Sequence, residues 1–109
     1  MEAQRNELIA LAAEKGWNAV RIDNFSAADW SVETWELESF WSPVGVKAFV
    51  TFPIDEQLYP ERRPWAIRVS SEHPTDGPAP GKVFQTSLIQ WKNDKPRFID
   101  FLDQIRLSK

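Results

Sequence analysis

The sequence predicts an α+β domain of two layers: an antiparallel meander of about five strands, with an N-terminal and a C-terminal helix packed on one face. Three observations predict it. Residues 31–54 alternate apolar and polar side chains on either side of a Pro/Gly turn, as a β-hairpin with one buried face does. Both ends of the chain carry apolar residues at helical spacing. The segments between are short strand-like runs whose connections favour antiparallel neighbours, and the two amphipathic helices need an apolar face to cover.

Residues 2–15 read as the first helix. Leu8, Leu11, Ala12 and Lys15 form a stripe with Ile9 beside it, and Gly16 is placed to end the helix. Residues 17–23 read as a strand, with Trp17, Ala19 and Arg21 alternating against Val20 and Ile22. Residues 24–30 are a connection in which Ser26 and Asp29 have the spacing of a short helical cap.

The hairpin follows. Glu33, Trp35, Leu37, Ser39 and Trp41 share one face of its first strand; Val46, Ala48, Val50, Phe52 and Ile54 share one face of its second. With Ser42, Pro43, Val44 and Gly45 as the loop, Trp41 is expected opposite Val46, Leu37 opposite Val50 and Trp35 opposite Phe52. A slip of one residue would turn Glu36 and Glu38 toward the apolar row, so the faces are well specified.

Residues 55–64 form a ten-residue connection, and residues 65–71 a further strand with Trp65, Ile67 and Val69 on one side. Three Pro and two Gly exclude regular structure over residues 73–81. Residues 82–91 read as the last strand. Its facing is ambiguous, because Phe84, Thr86 and Leu88 compete with Val83, Ile89 and Trp91 for the inner side. The last helix has Asp94 near its cap, Pro96 in its first turn and Phe98, Phe101, Leu102 and Ile105 as its apolar stripe. Arg106 and Lys109 lie where the helix dipole favours cations. Of the six Trp, Trp35, Trp41 and Trp65 are expected in the core, while Trp30 and Trp91 stay open.

Composition narrows the function classes. The 109 residues suit a single domain, 1–109, of ordinary globular composition. A formal charge of −3, without a basic run, argues against binding phosphate backbones, so no nucleic-acid partner is expected. With no Cys, disulfides, thiolate metal sites and a thiol nucleophile are excluded. Glu2, Glu7 and Glu14 interrupt any signal-peptide core, and no apolar run reaches the ~20 residues of a membrane span. The expected compartment is the cytoplasm, with no membrane partner.

Candidate chemistry is sparse. Glu36 and Glu38 project from one strand face about 7 Å apart, a spacing at which two carboxylates can share acid and base roles. His73, the only histidine, begins the Pro/Gly-rich loop beside Glu72 and Asp76, without the spacing of a metal motif. No cofactor is expected. Two surfaces fit a partner better. Tyr59, Arg62, Arg63 and Trp65 gather residue types typical of interface hot spots on and beside the long connection. Phe40 and Phe49 share the outer sheet face with Glu36, Glu38, Lys47, Arg68 and Ser70, either as a partner patch or beneath a covering segment.

The first reading is therefore a non-catalytic protein-interaction domain: a small acidic adaptor, chaperone-like or inhibitor-like protein. It would bind a protein partner, or a second copy of itself, through Glu36, Glu38, Phe40, Phe49 and Arg68 or through Tyr59, Arg62 and Arg63. The rival is a small-molecule-binding domain or minor hydrolase using Glu36, Glu38 and His73.

Overall fold

The computed structural model describes residues 2–23, 31–54, 64–72 and 82–107. Among them the chain runs α1 (Glu2–Glu14), β1 (Trp17–Asp23), β2 (Ser31–Ser39), β3 (Lys47–Pro53), β4 (Ala66–Ser70), β5 (Val83–Ser87) and α2 (Trp91–Leu107). The strands form one antiparallel sheet in the order β1-β2-β3-β4-β5, the meander that the sequence predicts.

Both helices pack on the same face. Leu8 and Ala12 of α1 and Phe98, Leu102 and Ile105 of α2 are buried in one cluster with Trp17, Trp35, Leu37, Val50, Phe52, Ile67 and Val69. Aromatic pairs join the core: Trp35 meets Phe52 edge-on at 5.0 Å within the sheet, and Phe84 of β5 meets Phe101 of α2 in a tilted contact at 5.8 Å across the layers. Polar ties add direction. Arg5 Nε donates to both Glu33 carboxylate oxygens at 3.0 and 3.2 Å, and Trp35 Nε1 donates to Glu33 Oε1 at 2.7 Å, fixing α1 over β2.

The register of the central hairpin departs from expectation by two residues. Leu37 lies opposite Ala48 and Trp35 opposite Val50, while Ser39 N donates to Val46 O at 2.9 Å. A shift of two keeps every side chain on its expected face, so the periodicity could not detect it. Its consequence is local: Phe40 and Trp41 leave the strand for the turn. Trp41 is 47% exposed and is not a core residue.

Phe49 is corrected in the opposite sense. It sits on the central strand between Glu36 of β2 and Ser70 of β4, and only 9% of it is exposed. Thr34, Thr51 and Ser70 on that outer face are also buried. Trp65 is half-buried and outside the core cluster.

The last strand is shorter than predicted. Phe84 and Thr86 pair with Val69 and Ile67, which turns both toward the helices and settles the facing of β5. Residues 88–90 form a turn, and α2 begins at Trp91, so Pro96 lies inside the helix. Trp91 is buried and meets Phe98 edge-on at 5.3 Å. A polar contact fixes the start of α2: Thr86 Oγ1 donates to Asp94 Oδ2 at 2.6 Å, with the carboxylate in the first turn, where the helix dipole favours it. Thr86→Val is expected to lower unfolding free energy by about 1.5–3 kcal/mol, the usual net worth of a hydrogen bond to a charged group. Urea denaturation with an unchanged slope would register it; an unshifted midpoint would mean that Asp94 does not anchor the helix.

Candidate functional site

The corner where α1, β1, the β2–β3 turn and α2 meet is built around Arg106. Its residue is 5% exposed, and its stripe neighbours Phe98, Leu102 and Ile105 carry it into the interior. Arg106 Nη2 donates to Lys15 O at 2.9 Å and Gly16 O at 3.2 Å, carbonyls just past the end of α1. Nε donates to Ser39 Oγ at 2.8 Å, and Nη1 donates to Asp103 Oδ1 at 3.1 Å. The guanidinium also stacks 4.7 Å from the ring centroid of Trp17 and 5.3 Å from that of Trp41. One buried cation thus ties four segments together.

Trp41 completes the corner. Ser39 Oγ, which accepts from Arg106, donates to Trp41 O at 2.8 Å, and Phe40 N donates to Gly16 O at 2.9 Å. Gly16 has φ +89°, and a Cβ built on it would fall 2.4 Å from Cγ and Cδ2 of Trp41. Only glycine satisfies both demands. The indole therefore lies against bare backbone on a fixed support while 47% of it meets water. Phe40 stands edge-on to it at 6.5 Å and is 46% exposed.

The outer sheet face next to this corner is charged. Lys47 Nζ lies 2.9 Å from Glu36 Oε2 and 3.5 Å from Glu38 Oε1. The hydrogen bond to Glu36 holds the Lys47 ammonium above its ordinary range, with burial opposing and the charge of Glu38 adding. Lys47 stands between the two carboxylates, where a shared substrate oxygen would have to lie. Farther across the sheet, Arg68 Nε donates to Gln85 Oε1 at 2.7 Å, and burial pushes the Arg68 guanidinium down.

The predicted site residues thus divide. Glu36 and Glu38 share the expected face, bound to Lys47; Phe40 lies past the end of β2, in the turn, and is exposed; Arg68 is half-buried; Phe49 is withdrawn. Tyr59, Arg62, Arg63 and His73 lie outside the described residues. Among the described residues no group of three or more His, Cys, Asp or Glu is placed to hold a metal ion, and no helix is long and apolar enough to cross a membrane. An open depression of about 370 Å³ adjoins Lys47; among the described residues it is lined by Val44, Gly45, Val46, Lys47 and Ser71, none of them a carboxylate.

Sequence reasoning placed Arg106 at a helix end and missed its role. The available signal was its position: it follows Phe98 and Leu102 at four-residue intervals, on the buried stripe rather than the wet face. Comparison of the chain with protein-family models, with curated proteins and with solved structures gives no significant match in any of the three.

Proposed function

We propose that this chain is a non-catalytic protein-interaction domain that offers the Phe40–Trp41 corner, flanked by Glu36, Lys47 and Glu38, to a protein partner. The carrying observation is the aromatic pair itself: two half-exposed rings on a turn anchored to Gly16 and to a buried arginine. Rings held in place before binding lose little conformational freedom when a partner covers them, and Trp is among the residue types that dominate interface energetics. The ion-paired face beside them supplies a polar rim. Relative to the sequence reading, Glu36, Glu38 and Phe40 are retained, Phe49 is removed by its burial, and Arg68 is peripheral. A hydrolase built on Glu36 and Glu38 is disfavoured by Lys47 standing between them.

Affinity capture from lysate of the source organism tests this, with wild type compared against Phe40→Ser/Val44→Glu. Phe40 and Val44 are 46% and 73% exposed, so the double variant is expected to retain its far-UV circular dichroism. The expected result is a protein recovered by wild type and lost by the variant. Identical recovery by both folded baits would refute an interaction role for this corner.

A further inference from the structure

Resting on the reading above, we infer that the partner of this corner is a second copy of the same chain, docked about a two-fold axis. Six large apolar residues are conspicuously exposed among the described residues: Val20, Phe40, Trp41, Val44, Ile89 and Leu107. Five of them belong to the segments that Arg106 joins. Phe40, Trp41 and Val44 are in the turn, and Leu107 follows Arg106 at the end of α2. Val20 lies on edge strand β1, at the irregularity between Ala19 and Arg21. Ile89 sits before the opposite end of α2, about 25 Å away at the rise of a helix.

Two quantities favour a second copy. Phe40, Trp41, Val44 and Leu107, exposed by 46, 47, 73 and 80%, leave on the order of 400 Å² of side chain in water. That is about half of the ~800 Å² per subunit of a standard interface, close to the apolar share that such an interface carries. The charges beside it are self-complementary as well. Lys47 between Glu36 and Glu38 presents both signs on one short rail, so a two-fold axis can set the cation of one copy against a carboxylate of the other. A strongly one-signed rim would instead repel its own copy.

Sedimentation velocity on the full chain decides it, run from micromolar concentration up to about 500 µM, a span that covers the weak and moderate affinity range. Wild type is expected to sediment as a concentration-dependent dimer. Val44→Glu and Leu107→Glu, both at highly exposed positions and checked by circular dichroism, are each expected to weaken dimerisation at least tenfold. A wild-type monomer throughout would overturn the inference, as would a dimer that both variants leave unchanged. Failure here is separable from failure of the broader reading. A monomer that captures a different protein, lost in Phe40→Ser/Val44→Glu, refutes only the second copy. A monomer with identical recovery by both baits refutes both.

Discussion

Arg106→Ala is expected to cost about 3–4 kcal/mol of unfolding free energy, a large part of the total stability of a domain this size. Three effects accumulate. The carbonyls of Lys15 and Gly16 and the hydroxyl of Ser39 lose a charged donor, in a setting where Ser39 is 1% exposed. The stacking contacts to Trp17 and Trp41 disappear. A space remains among Trp17, Ser39 and Trp41 where the side chain lay, and it closes only in part. At about 4 °C per kcal/mol, the melting temperature should fall by roughly 12–16 °C.

Two conservative variants separate these contributions. Arg106→Met keeps the stem and loses the hydrogen bonds. Arg106→Lys keeps the charge but cannot serve from three separate nitrogens the two carbonyls, Ser39 Oγ and Asp103 Oδ1 at once. Both are expected between wild type and Arg106→Ala. If Arg106→Lys were as stable as wild type, the forked geometry would have no energetic role and the account of the corner would be wrong. Chemical denaturation followed at several wavelengths provides the test, with an unchanged slope confirming that the same surface is exposed.

Much of the fold is legible in the sequence because its signals are periodic. Strand faces follow from alternation, helix stripes from three- and four-residue spacing, and the meander from short connections. What escaped has a common physical cause. Sliding the hairpin by two residues leaves Trp35, Leu37, Val50 and Phe52 all facing the core, so alternation carries no information about it. The choice depends on Trp41, which leaves the sheet to lie over Gly16 and beside Arg106, partners 25 and 65 positions distant in the chain. Arg106 was opaque for the same reason: Lys15 and Gly16, whose carbonyls receive it, are some ninety residues away. At the site, Phe40 was legible as an aromatic outside the core pattern. Phe49 was not, because alternation assigns it to the outer face without saying whether that face is covered.

Gly16→Ala carries the second large effect, and a matched control exists in the same molecule. Gly16 and Gly45 both have positive φ, at 89° and 91°. An alanine at either position incurs the left-handed penalty of about 1–2 kcal/mol. There the likeness ends. A Cβ at Gly45 has no heavy atom within 4 Å outside its own chain neighbours, whereas one at Gly16 lands 2.4 Å from two ring atoms of Trp41. The indole must then lift, giving up its stack with Arg106 and straining the link from Ser39 Oγ to Trp41 O. Gly16→Ala is therefore expected to destabilise by about 2–4 kcal/mol and Gly45→Ala by only the backbone part. A double-mutant cycle isolates the difference: in a Trp41→Ala background the added cost of Gly16→Ala should shrink by about 1 kcal/mol or more. Equal penalties at the two glycines, or no coupling to Trp41, would show that the ring does not rest on Gly16 and would remove the anchored presentation on which the interaction reading depends. A coupled result, joined to loss of partner binding in folded Gly16→Ala protein, would tie the geometry of the corner directly to its function.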